Sequence, residues 1–84
     1  MPDRLTHKRS MHLLHLAQAE QHVAEGKRHI AEQEQRIADF VRLGHDTTQA
    51  RKLLENFSLN QVQHVEHRDR LLKALGLPLF GLAW

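Results

Sequence analysis

Branched aliphatic side chains recur every seven residues at Leu16, Val23, Ile30 and Ile37. Each is preceded by a basic residue (His15, His22, His29, Arg36) and followed by an alanine (Ala17, Ala24, Ala31, Ala38). A sustained seven-residue apolar repeat predicts a helix that supercoils left-handedly against a partner helix. No stretch alternates apolar and polar residues with period two, so strands are not expected.

Breakers are few and divide the chain cleanly. Gly44 suits the left-handed position just past a helix end, and Arg42 complements the helix dipole there. Asp46, with Gln49 three residues later, matches a variant of the capping box and opens a second helix. Gly76 and Pro78 close that helix. The expected architecture is all-α: one domain over residues 1–84, with a helix over about 4–43, a turn at 44–46, a helix over about 47–75 and an apolar tail at 76–84. So short a connection makes the two helices an antiparallel, coiled-coil-like hairpin, in which residues whose numbers sum to about 90 lie level.

The first helix has more adhesive surface than one partner needs. With Leu16, Val23, Ile30 and Ile37 at the centre of a face, the alanines lie about 100° to one side. Ala19, Gly26, Gln33 and Phe40 lie about 60° to the other. An arc of about 160° exceeds a single coiled-coil seam. The expected outcome is self-association, most simply two hairpins pairing as a four-helix bundle. The interface residues expected from this pattern are Leu16, Val23, Ile30, Ile37, Phe40, Leu54, Phe57, Leu72 and Leu75, joined by Phe80 and Trp84 of the tail.

The middle of the hairpin reads as polar. Gln61, His64 and Arg68 interrupt the line joining Leu54 and Phe57 to Leu72 and Leu75. Near matching heights on the first helix are Glu20, Gly26, Lys27 and Gln33. An inward charge needs a partner, and Glu20 is the expected partner of Arg68. Gly26 is unfavourable inside a helix by about 1 kcal/mol against Ala, and its expected role is to admit a bulky neighbour such as His64. Glu20, Gln61, His64 and Arg68 thus form a candidate polar layer fixing register and oligomeric state. A second reading makes His64 and His67, with His22 or His29, ligands for zinc, nickel or copper. Histidines seven residues apart on one helix are about 10 Å apart along its axis, so the ladder at 15, 22 and 29 reads as surface pairs.

Composition narrows the chemistry. The chain has no cysteine, which removes disulfides, thiolate zinc sites and cysteine nucleophiles. No apolar run approaches a membrane span and no signal-peptide core is present, so a cytoplasmic protein with no membrane partner is expected. Phosphate loops, dinucleotide fingerprints and nucleophile elbows are missing. No catalytic residue, resident metal or cofactor is assigned, and the chain is read as non-enzymatic. Twelve Lys and Arg against ten Asp and Glu give a formal net charge of +2, too small for a strongly basic nucleic-acid face. The basic end, with Arg4, Lys8 and Arg9 and no acid over residues 4–19, leaves weak nucleic-acid contact as a disfavoured third reading.

The tail from Gly76 to Trp84 is almost wholly apolar. It is expected either to cover Leu5, Met11 and Leu14 or to insert Phe80 and Trp84 into a partner protein.

The heptad copies, the following Gly44-His45-Asp46-Thr47-Thr48 and the closing His64-x-x-His67-Arg68-Asp69-Arg70-Leu71-Leu72 resemble a group of short bacterial helical-hairpin proteins with no assigned activity. The resemblance covers about residues 11–73 and implies a stand-alone bacterial protein. It transfers no activity to any residue. The function expected is therefore a homo-oligomeric helical interaction module, with histidine-dependent metal binding or sensing as the alternative.

Overall fold

A computed structural model describes residues 4–79, which form two helices, α1 (Arg4–Arg42) and α2 (Thr48–Ala74), with no strand among the described residues. The connection is residues 43–47, slightly longer than the turn expected at 44–46. The helices run antiparallel: His22 meets His64, His29 meets Phe57, and Arg9 reaches the carbonyl of Leu75.

Both helices stop for the same physical reason. At the end of α1, Gly44 takes a φ of +74°. Its N–H donates to the Val41 carbonyl at 3.1 Å, and the His45 N–H donates to the Phe40 carbonyl at 2.9 Å. At the end of α2, Gly76 takes a φ of +71°. Its N–H donates to Lys73 at 3.1 Å, and the Leu77 N–H donates to Leu72 at 2.9 Å. These paired bonds are the Schellman motif, which satisfies carbonyls that a helix end leaves orphaned. The Phe40 and His45 rings, 5.6 Å apart, supply the side-chain contact that accompanies the motif.

The start of α2 differs from the expected capping box. Asp46 Oδ1 accepts the Thr48 N–H at 3.0 Å and the Thr48 hydroxyl at 2.8 Å, so its partner is Thr48 rather than Gln49. This is a local Asx turn, two residues forward instead of three. Those two bonds, the backbone one first, hold the Asp46 carboxyl below its ordinary pKa.

Packing follows a regular three-four spacing. On α1 the inward residues are Leu16, Ala19, Val23, Gly26, Ile30, Gln33, Ile37 and Phe40. Their counterparts, running the opposite way, are Ala50, Leu54, Phe57, Gln61, His64, Arg68, Leu71 and Leu72 on α2 and Leu75 just past its end. Among the described residues the contiguous apolar core lies at the open end, where Leu16 and Ala19 of α1 meet Leu71, Leu72 and Leu75. Val23 and Ile37 are buried separately along α1, while Ile30, Phe40, Leu54 and Phe57 are half-buried. Phe80 and Trp84 lie outside the described residues.

The molecule is a rod of 64 × 21 × 14 Å. Its radius of gyration is 17.6 Å, against about 12 Å for a compact chain of this length. No described helix is long and apolar enough to cross a membrane.

Candidate functional site

Heptad geometry gives the hairpin two different flanks. The residue before each central aliphatic of α1 looks to one side of the seam, and the residue after it looks to the other.

One flank is a histidine cleft lined by His22, Glu25, Gly26 and His29 of α1 with Phe57, Asn60 and His64 of α2. The His22 and His64 ring centroids are 5.5 Å apart and tilted by 44°. The His29 and Phe57 rings are 5.8 Å apart and tilted by 37°. The first helix thus contributes two members of its histidine ladder, and the second contributes His64. His67, three residues beyond, is exposed and does not line the cleft. Among the described residues no three His, Asp or Glu side chains converge closely enough to hold a metal ion.

The opposite flank is more apolar. Ala17, Ala24, Ala31 and Ala38 are all exposed there. Three separate clefts lie along it. One is lined by Ile37, Ala38, Val41 and Leu54 with Glu34 and Arg51. A second is lined by Ile30, Ser58, Val62 and Val65 with Gln61 and Glu66. A third is lined by Glu20, Val23, Ala24, Lys27 and Arg68. Val41 is 56% exposed and Val62 is 54% exposed.

The polar middle is rebuilt from different pairings than the sequence suggested. Arg68 is half-buried as expected, but its guanidinium donates from Nε and Nη2 to Asp69 Oδ1 at 3.1 and 3.0 Å. Glu20 is exposed and shares a groove with Arg68 without pairing to it. The neighbouring carboxylate wins because no loop or helix must be ordered to bring it near. Gly26 makes room for Gln61, not chiefly for His64: a Cβ there would collide with the Gln61 amide, whose Cδ would lie only 2.7 Å away. The closeness lets Gln61 Nε2 donate to the Val23 carbonyl at 2.9 Å. Gln61 Oε1 is buried without a hydrogen-bond partner in the hairpin.

Gln33 is the residue that sequence reasoning undervalued. It is only 2% exposed. Its Nε2 donates to the Ala50 carbonyl at 2.9 Å, and its Oε1 accepts from Arg36 Nη1 at 3.0 Å. The signal was available, since Gln33 follows Ala19 and Gly26 at seven-residue spacing on the inward line.

No model of a protein family matches the chain, and none of the curated proteins or solved structures compared with it is similar.

Proposed function

We propose that the chain is a non-enzymatic helical module that works by pairing with a second copy of itself through the alanine and valine flank. The observation that carries this reading is the exposure of Ala17, Ala24, Ala31, Ala38, Val41 and Val62 beside clefts floored by Ile30 and by Ile37 and Leu54. Alanine rows permit close helix approach, and a partner here would complete the burial of the cleft floors.

Dimensions fit a stable dimer. The 27 residues of α2 overlap α1 over about 40 Å. Multiplied by a width of 21 Å, this gives a face of about 800 Å², the area each partner contributes to a standard interface. The result is a four-helix bundle whose histidine clefts face outward.

Sedimentation equilibrium on the full chain tests it. The expected mass at micromolar concentration is twice that of one chain, and Ala31→Glu is expected to abolish the dimer by placing a carboxylate in the interface. His22→Ala, on the opposite flank, is expected to leave the mass unchanged. A helical, monomeric chain at about 100 μM, where even a weak micromolar dimer would form, overturns the reading.

A further inference from the structure

The charges are distributed very unevenly along the rod. Described residues 4–19 and 70–79 contain Arg4, Lys8, Arg9, Arg70 and Lys73, with His7, His12 and His15, and not one Asp or Glu. The middle of the chain, residues 20–69, carries nine acids and seven bases. Antiparallel packing brings the two basic stretches to the same end. Arg9 Nη1 donates to the Leu75 carbonyl at 3.3 Å, and Leu5, Lys8, Arg9, His12, Ala74 and Leu75 line one cleft. The α1 N-terminus adds the positive pole of its dipole; the first turn of the described helix holds no acid, and Asp3 precedes it in the sequence.

The same end is apolar. Leu5 is 77% exposed, Leu14 is 53% exposed, and Leu13, Leu77 and Leu79 are exposed with them. Among the described residues no carboxylate pairs with Arg4, Lys8, Arg70 or Lys73; the ion pairs are Arg28–Glu32, Arg42–Asp39 and Arg68–Asp69.

We propose that this open end docks on an anionic lipid surface. Cations interleaved with exposed leucines are the chemistry of interfacial attachment. The leucines enter the headgroup–acyl boundary, while Lys and Arg stay among the lipid phosphates. The expectation of no membrane partner rested on the absence of a span, and surface attachment requires none. A nucleic acid satisfies the cations equally well, but its binding sites use aromatic stacking platforms and polar donors, and the aliphatic cluster has no counterpart there.

The experiment is co-sedimentation of the full chain with vesicles of phosphatidylcholine alone and of phosphatidylcholine with phosphatidylserine, beside a single- and a double-stranded oligonucleotide. Partition onto the anionic vesicles, weaker in high salt, is expected, with little onto phosphatidylcholine. The triple variant Lys8→Ala, Arg70→Ala, Lys73→Ala is expected to lower that partition about a hundredfold. Leu5→Gln with Leu13→Gln, which lie on the same side of α1, is expected to lower it at least about tenfold. All five positions are exposed, so far-ultraviolet circular dichroism of the variants should match the parent. Failure to sediment with anionic vesicles, equal partition onto both lipids, or oligonucleotide binding without vesicle binding overturns the proposal.

Discussion

At the level of single residues, the interior of this hairpin is specified by two amides as much as by its leucines. Gln33 and Gln61 each tie a side-chain N–H to a backbone carbonyl on the facing helix, Ala50 and Val23 respectively. Such bonds fix axial register, because sliding one helix past the other breaks both. Gly26 belongs to the second tie. Replacing it by Ala adds about 1 kcal/mol of helix propensity. The new Cβ, however, displaces the Gln61 amide, and losing that bond costs about 1 kcal/mol or more. Gly26→Ala alone is therefore expected to be neutral to destabilising by about 1 kcal/mol. In a Gln61→Ala background the same change should stabilise by about 1 kcal/mol. A double-mutant cycle read by urea unfolding checks this, and a coupling near zero would show that the glycine has nothing to do with the glutamine.

Among the elements, what was legible in the sequence was what repeats and what breaks. The seven-residue spacing announced α1 and its inward line, and Gly44 and Gly76 announced both helix ends, because only glycine takes a positive φ without strain. What was not legible was which polar group would reach which. Sequence numbers place Glu20 opposite Arg68, but facing pairs such as His22–His64 and Val23–Gln61 set a shifted register, and Arg68 pairs with the adjacent Asp69. Likewise Gln49 sat at the right spacing for a capping box, while Thr48 offered Asp46 an N–H and a hydroxyl together. The Asp46 turn has a definite pH signature. Its folded-state pKa is lowered, so its stabilisation is fully present above the unfolded value of about 4 and is lost as pH falls through the lower folded value. Asp46→Asn removes the charge while keeping an acceptor oxygen, so the acid-side slope of Tm between about pH 2 and pH 4.5 should flatten relative to the parent. Thermal melts across that range decide it, and an unchanged slope would mean that the carboxylate charge does not hold the start of α2.

The whole molecule is a long, thin object with little interior of its own. Its buried apolar residues are Leu16, Ala19, Val23, Ile37, Leu71, Leu72 and Leu75, while Val41, Leu43, Leu59 and Val62 are more than half exposed. Two helices in contact along one seam bury little surface to set against the entropy of ordering about eighty residues. A second copy seated on the alanine flank would supply the difference, and folding would then be coupled to association. Mass action makes this measurable. Each tenfold rise in chain concentration should stabilise the dimer by about 1.4 kcal/mol, raising Tm by about 3–6 °C. Val62→Lys, on the flank proposed to pair, should flatten that dependence and lower Tm at every concentration. His29→Ala, in the outward cleft, should lower Tm slightly by removing its contact with Phe57, yet preserve the slope. The slope carries the discrimination: both substitutions affect the stability of one hairpin, but only the residue on the pairing flank changes how stability responds to concentration. A Tm that stays constant over a hundredfold range would mean that one hairpin holds itself together, and the alanine row would then need another explanation.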